Sequence, residues 1–458
     1  MNTYKKILLA ICILSIVCSC KKQFLNAKPD NSLVVPGTLP ELQALLDNDL
    51  IISGGYSAGS DPHIGALSTD DYYITDADYL NTDDYHRAAY TWAKKIPFQP
   101  GTKNWIGPYR VIFYANIVLD ALNKLPKDKT DQLSYNNIKG SALFYRAFQF
   151  YNLAQVFAPQ YKSNTASSEP GIPLRLTADI SELTTRSTVK ETYERIIADL
   201  NEAIALLPNN PLVQTRPCKT AAFALLARTY LTMQNYSMAL QFASSSLELN
   251  NQLMDYNQIN PEASETFTLF NKEVLFHSGI SYDYPSLIPE YAKIDNDLYN
   301  SYEANDLRKT RFFSLQESYV IFKGSYRGTI IPFTGLANDE VYLMQAECYA
   351  RLGDPVKALR SLNELMINRF DKTSFKPFVA TDSDEALAII LAERRKELVM
   401  RNMRWTDLRR LNLDPRFAIT LTRKANGQTY TLPPNDPRYT LPIPEEIIGL
   451  TGIIQNQR

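Results

Sequence analysis

The sequence predicts a mainly α fold: a tetratricopeptide-repeat-like helical scaffold with long mixed loop insertions on one side. Three observations carry that expectation. Long stretches place apolar residues at the 3.6-residue spacing of a half-buried helix. Two stretches repeat one helix–turn–helix plan. The segments between them are rich in Tyr, Asp, Asn, Ser and Gly, and are too long to be plain connectors.

The chain opens with Lys5-Lys6, runs apolar from Ile7 to Val17, and reaches Cys20 after small Ser19. The apolar run is too short to cross a hydrocarbon core of about 30 Å. It reads as a signal peptide over 1–19 with Cys20 as lipid acceptor. Cys18 is the poorer acceptor because bulky Val17 precedes it. The alternative is an ordinary secretory signal with incidental cysteines. The lipid reading places the body of the protein on a membrane outside the cytoplasm.

The first helix is predicted over Trp105–Leu125, stopping before Pro126. The second covers Leu133–Phe157, with Leu143, Phe144, Ala147, Phe150, Tyr151 and Ala154 on one broad face. The third starts at a T-x-x-E capping box, Thr188 and Glu191, carries the stripe Ile196, Leu200, Ala203, Ile204 and Leu207, and stops at Pro208. The repeated plan then occupies Lys219–Leu249 and Asp339–Phe370. In each, a polar turn (Gln234-Asn235 or Gly353-Asp354) leads to a second helix with a small residue, Ala239 or Ala358, at the crossing. Small residues at fixed positions let paired helices approach, as in tetratricopeptide repeats of about 34 residues. Segments 47–92, 158–187 and 251–336 read as loops, with a strand at Tyr319–Lys323, and 415–458 reads as Pro-rich and irregular. The expected organisation is 20–250 and 337–458 as one compact helical unit, with 251–336 as a loop-rich insertion.

Composition narrows the function. A formal net charge of -1 gives no basic surplus for nucleic acid. Cys218 and Cys348 sit in apolar helical patterns and read as buried free thiols. There are 28 tyrosines and 20 phenylalanines but only 3 histidines, which favours binding surfaces over acid–base or metal chemistry.

Three motifs admit sharper readings. Gly55-Tyr56-Ser57-Ala58-Gly59 spells G-x-S-x-G, but its flanks are loop residues, not the strand and helix of a nucleophile elbow; His63 and His86 come soon after, and His277 comes late with no aspartate in obvious register. No catalytic residue is expected. Asp70, Asp71, Asp76, Asp78, Asp83 and Asp84 form an acidic cluster, but Leu80 stands where a calcium ligand belongs. Asp295 and Asp297 fail in the same way, since Tyr299 follows. A solvated acidic loop is the reading, with structural calcium as its alternative; no other metal or cofactor is expected. The charged stretch 391–411 offers Glu393–Lys396, Glu397–Arg401 and Arg404–Asp407 at helical spacing. It reads as one helix holding salt bridges in preference to an anion site.

Several blocks in fixed order carry a family resemblance. KKQFLNAKPDN follows Cys20. Trp105, Tyr109 and Asn116 form W-x3-Y-x6-N, and Arg146, Ala147 and Tyr151 form R-A-x3-Y. Gly171–Leu174 (GIPL) precedes Arg186, Val189, Tyr193, Ile196, Asp199 and Leu200. Glu393, Arg394, Glu397, Leu398, Arg404, Asp407, Leu408 and Arg410 follow, and LPIPEEI (Leu441–Ile447) with Gln455-Asn456 closes the series. In these blocks the chain resembles the SusD/RagB family of outer-membrane nutrient-binding lipoproteins. One departure is Arg401-Asn402-Met403, where the family often has an acidic residue and glycine; a helix bend is expected there. The resemblance implies a non-enzymatic, lipid-anchored protein on the cell exterior. Such a protein captures oligosaccharide, or in some members peptide, for a SusC-like TonB-dependent transporter. A pure protein-interaction scaffold is the rival.

The residues chosen for ligand contact are Tyr72, Tyr73, Tyr79, Tyr85 and Trp92 in one loop region, and Tyr282, Tyr284, Tyr299 and Tyr326 in the other. Aromatic faces stack on sugar C–H faces, and loops on a rigid scaffold carry binding residues. The alternative for each ring is that it anchors its loop onto the helices.

Overall fold

Eight helices of twelve or more residues form the scaffold of the computed structural model, which describes residues 36–52, 59–126, 131–281 and 287–458. In chain order they are α1 Lys103–Leu122, α2 Gln132–Phe157, α3 Val189–Leu206, α4 Lys219–Thr232, α5 Tyr236–Leu249, α6 Asn338–Arg351, α7 Pro355–Met366 and α8 Ser383–Glu397. Most begin at a side-chain cap. Asp131, Thr188, Asn235, Asp354 and Asp382 accept backbone N–H groups at the starts of α2, α3, α5, α7 and α8. Such caps contribute about 1 kcal/mol each. The capping box of Thr188 and Glu191 forms as the sequence implies.

The helices stack in sequence, each against the next from α1 to α7, while α8 packs on α6 and α7. The repeated plan is realised as the hairpins α4–α5 and α6–α7, with Ala239 and Ala358 wholly buried at their crossings. One continuous apolar cluster runs through the body from Leu42 to Ile453. Cys218 and Cys348 are buried free thiols.

Two stretches differ from the sequence reading. The stretch 391–411 is two helices, not one: α8 ends at Glu397, and a second helix, Arg404–Leu411, follows. Met400 (φ 57) and Asn402 (φ 59) turn left-handed between them. The break drops Arg401 into the core beside Asp339, at 2.9 Å, and lets Asn402 Nδ2 donate to the Pro62 carbonyl at 3.0 Å. The C-terminal region 415–458 is more ordered than expected. It holds a five-residue hairpin, Leu421–Ala425 paired with Gln428–Leu432, and a short helix Glu445–Thr451. Asn426 (φ 48) and Gly427 (φ 70) form the two-residue turn that matches strand twist. The strand expected at Tyr319–Lys323 is present as Val320–Phe322, paired with Phe313–Leu315.

The second helix of that pair also closes α2. Arg409 Nη1 donates to the Ala154 carbonyl at 3.4 Å, and its guanidinium reaches the Gln155 and Ala158 carbonyls. A cation thereby satisfies the orphan carbonyls at the negative end of the longest helix.

Candidate functional site

The two tyrosine-rich loop regions, some 200 residues apart in sequence, meet in space. Asp61 bridges Ile280, the Gly59 N–H donates to the Ile280 carbonyl at 2.7 Å, and Tyr72–Tyr73 pairs antiparallel with Lys293–Ile294. The crossing needs a bare backbone: a Cβ on Gly59 would lie 1.4 Å from the Gly279 carbonyl oxygen. Asp61 pins the junction. Its buried carboxylate accepts from Gln149 Nε2 of α2 at 2.8 Å and from Ser278 Oγ at 2.7 Å, and also from the Thr334 hydroxyl. Burial raises its pKa, and these three donors oppose the rise.

His63 lies beside Asp61, with Nδ1 2.8 Å from Ser281 Oγ and Nε2 3.2 Å from the Tyr85 hydroxyl. A Ser–His pair invites a nucleophilic reading, but the site is wrong for it. Both residues are buried, and no carboxylate contacts the ring among the described residues. Burial, with a smaller contribution from His86, holds the imidazole pKa at about 3, so it stays neutral. The Ser57 motif, Cys20, Tyr282 and Tyr284 lie outside the described residues.

Most of the chosen rings are loop anchors, and this corrects the expectation for five of them. Tyr72, Tyr79, Tyr85, Trp92 and Tyr326 are buried, with Trp92 and Tyr326 each 1% exposed. A ring covered on both faces offers no platform. The Tyr72 hydroxyl donates to the Leu67 carbonyl at 2.9 Å, and Trp92 Nε1 donates to the Ser68 carbonyl at 2.9 Å. Arg423, from the C-terminal hairpin, stacks 3.8 Å from the Tyr90 centroid and 4.9 Å from that of Trp92. Its N–H groups reach the carbonyls of Leu67, Thr69 and Tyr90. Tyr326 donates to Glu273 Oε2 at 3.0 Å under the Arg401 guanidinium.

Tyr73 and Tyr299 remain half-exposed. Tyr73 stands opposite Lys293 in the strand pair, so the two side chains share a face. Lys293 Nζ lies 5.0 Å from the Tyr319 centroid and 3.0 Å from Asp78 Oδ2. Tyr319 is also half-exposed. Sequence reasoning took it only as the start of a strand; the period-2 alternation Tyr319, Ile321 was the available signal that its ring faces away from buried Val320 and Phe322. Burial and nearby Asp295 both raise the Tyr73 phenol pKa, so it stays a neutral donor. Tyr299 packs edge-on against Phe313 at 5.6 Å, with Lys309 Nζ 4.9 Å from its centroid. This face presents flat rings and acid oxygens, while buried Lys293, whose ammonium donates to Asp78 and to the Glu290 carbonyl, fixes them from beneath. It can stack on a saccharide ring and hydrogen-bond its hydroxyls.

The acidic cluster is dispersed onto protein partners. Asp70 forms a two-pronged pair with Arg404 at 2.7 and 2.8 Å, and Asp78 takes Lys293. Asp76 accepts the Asn426 N–H, Asp83 caps the helix Asp84–Tyr90, and Asp84 pairs with Arg87. Asp295 caps the helix Asn296–Asn300. Among the described residues no group of three or more His, Cys, Asp or Glu could hold a metal ion.

The charged motif residues form a buried network. Glu393 pairs with Lys396 as the spacing suggests. Glu397 instead takes Arg369 at 2.6 Å and Arg308 at 3.1 Å, while Arg404 and Asp407 part company: Asp407 holds Arg394 at 2.9 Å and Arg410 at 2.8 Å. Arg369 also grips Glu273 at 2.9 Å. Salt bridges rather than anion capture account for this stretch.

The larger clefts lie apart from the tyrosine face. One of about 440 Å³ is lined by Gln160, Arg409, Asn412, Tyr439 and Asn456, but Tyr439 is 5% exposed and packs on Trp405. A groove of about 300 Å³ runs along Trp105, Tyr109 and Phe113 of α1.

Comparison with known proteins fits this architecture. Residues 23–231 match a family model described as "Starch-binding associating with outer membrane", and residues 339–456 match that of the SusD family. The chain belongs to the SusD family. A SusD superfamily protein of Bacteroides thetaiotaomicron superposes with a TM-score of 0.75 at 23% identity, covering 92% of this chain and 100% of that one. A putative sugar binding protein of Bacteroides vulgatus gives 0.72 at 21% identity, covering 92% and 99%. Surface glycan-binding protein A of Bacteroides fluxus gives 0.70 at 18%, again covering 92% and 99%. SusD-like protein P2 of Formosa agariphila is 25% identical over 378 residues, covering 68% of this chain and 71% of that protein. The SusD-family likeness confirms the mainly helical, tetratricopeptide-like scaffold.

Proposed function

We propose that this SusD-family chain is a lipoprotein of the outer membrane, anchored through Cys20 and facing the cell exterior. It binds oligosaccharide at the face carrying Tyr73, Lys293 and Tyr319 and delivers it to a partner TonB-dependent transporter. The observation that carries the ligand reading is a pair of half-exposed rings, Tyr73 and Tyr319, set over the buried ammonium of Lys293, on a junction of loops locked from beneath by Asp61 and Arg423. A preformed platform loses little conformational entropy when a sugar stacks on it.

The reading is non-catalytic. The buried histidine of the face is held neutral, and the strongly shifted carboxylates of the scaffold are engaged by arginine. No helix among the described residues is long and apolar enough to cross a membrane, which agrees with attachment by lipid. Two of the similar structures are described as sugar- or glycan-binding proteins.

The test is calorimetric titration of residues 21–458 with paired panels of oligosaccharides and short peptides. Saturable heat with one glycan class, sharply reduced in Tyr73→Ala/Tyr319→Ala, supports the proposal. Heat with peptides alone overturns the ligand, and silence from both panels overturns capture by this chain alone. In cells, Cys20→Ala should move the protein from the membrane fraction to the soluble fraction.

A further inference from the structure

A cleft of about 370 Å³ opens where the α4–α5 hairpin meets the segment 270–275, and it shares no residue with the tyrosine face. Its floor is Cys218, Thr220, Val274 and Leu275, all buried. Its walls carry the carboxamides of Asn210, Gln214, Asn250 and Gln252, the ammonium of Lys272, and the half-exposed ring of Phe270. Among the described residues no carboxylate lines it.

Two features set this cleft apart from an ordinary surface dent. The first is strain. Phe270 has φ 56, in the left-handed region that a bulky side chain rarely occupies. A turn that needs this conformation is served best by glycine or asparagine, and Asn271 stands one place too late. The conformation is held from outside: Gln214 Nε2 donates to the Phe270 carbonyl at 3.5 Å, and the Gln214 carbonyl is fixed by the His277 N–H at 2.7 Å. The strained turn presents an aromatic ring at the cleft wall, braced edge-on by His277 at 5.1 Å. Strain of this kind concentrates at functional sites.

The second feature is unspent hydrogen-bonding capacity. Asn250 Oδ1 is used by Asn338 Nδ2 at 3.0 Å and by the Gln252 N–H at 3.1 Å, which leaves its Nδ2 as a donor. Among the described residues, the side chains of Asn210, Gln252 and Lys272 and the Gln214 Oε1 make no hydrogen bond with protein. Planar amides that both donate and accept, beside an aromatic ring, match a ring-shaped ligand with hydroxyls around its edge.

We infer that this cleft is a second saccharide-binding site, with Phe270 as the stacking platform and Gln214, Asn250, Gln252 and Lys272 as hydroxyl partners. The inference rests on the reading of the chain as a saccharide binder. Without a carboxylate in its walls, the site takes neutral sugars and tolerates acidic ones. A second site on the same molecule would hold a long glycan at two points and raise its effective concentration at the tyrosine face.

The test uses the chain 21–458 on an array of immobilised neutral and acidic oligosaccharides, in five forms: unchanged, Tyr73→Ala/Tyr319→Ala, that pair combined with Phe270→Gly, Phe270→Gly alone and Gln252→Ala. The double tyrosine variant should keep residual binding to the same glycan, and adding Phe270→Gly should abolish it. Phe270→Gly alone should weaken binding to long glycans about tenfold through lost two-point attachment. Its melting temperature should stay within about 2 °C of the parent, because relief of backbone strain offsets the lost ring contacts. Gln252→Ala, at an exposed rim position, should weaken binding with no change in melting. Unaltered binding in Phe270→Gly and Gln252→Ala overturns the inference while leaving the tyrosine face intact. A large drop in melting temperature with binding unchanged identifies Phe270 as a core anchor and also overturns it. Absence of glycan binding in every form removes the proposed function itself.

Discussion

Two wholly buried carboxylates, Glu347 in the helical scaffold and Asp71 in the loop face, are pushed in opposite directions. Burial tends to raise both. At Glu347 it is overcome by Arg410, at 2.5 and 2.8 Å, and by Arg351, at 2.8 Å, and the pKa falls to about 2. At Asp71 burial wins, neighbouring Asp70 adds repulsion, and the pKa rises to about 6. Among the described residues its Oδ2 has only the Met400 N–H at 3.4 Å, and its Oδ1 has no hydrogen-bond partner. The difference is one of cation supply. At Glu347 the scaffold supplies a forked guanidinium, whereas in the loop face Arg404 turns its fork on Asp70. Charge is therefore a means of fixing geometry between helices, while the loops are held mainly by rings, backbone carbonyls and hydroxyls.

The largest effect should come from unpairing the scaffold. Arg369→Ala leaves Glu273 and Glu397 buried without this cation and should cost about 3–5 kcal/mol in urea unfolding. A loss under 1 kcal/mol would mean that the network is already open to water. Next, Trp92→Ala should cost about 3–5 kcal/mol, since it removes a core ring from beneath Arg423. A smaller loss would show that the backbone at Trp92, with φ 55, relaxes when the ring is gone.

The contrast of signs gives the third prediction. Glu347 has a folded pKa below its ordinary 4.5, so its contribution is present above pH 4.5 and is lost as pH falls through about 2. Asp71 has a folded pKa above its ordinary 3.8, so the fold prefers it protonated, and stability falls as pH rises from 3.8 through about 6. Each shift corresponds to about 3 kcal/mol. Asp71→Asn should therefore stabilise the protein near pH 7 and do little at pH 3, in denaturation at the two pH values. Equal effects at both would break the comparison.

The smallest effect on folding should fall on the exposed rings. Tyr73→Ala and Tyr319→Ala should each change stability by less than about 1 kcal/mol, because neither ring fills the core. Each should weaken glycan binding about tenfold by calorimetry, the usual scale of one stacking contact.

The sequence alone determined the scaffold. Helix spacing, the Thr188–Glu191 capping box, the Pro208 stop and the turn at Gln234-Asn235 all act within a few residues of themselves, so reading along the chain finds them. The Asn426-Gly427 hairpin is equally local, but the prolines that follow it mask its strand alternation. The ordered motif blocks also sufficed to indicate the family. Only the tertiary structure decided which tyrosines are free. Tyr72 and Tyr73 are adjacent and identical in chemistry, yet one is buried beneath Arg423, about 350 residues away, and the other faces water beside Lys293. Partner choice in the ion network was equally out of reach. Glu397 and Arg401 sit one helical turn apart in sequence, but the left-handed residues between the helices send Arg401 to Asp339 and leave Glu397 to Arg369 and Arg308. Burial and pairing depend on what arrives from distant parts of the chain, and short-range periodicity carries no record of that.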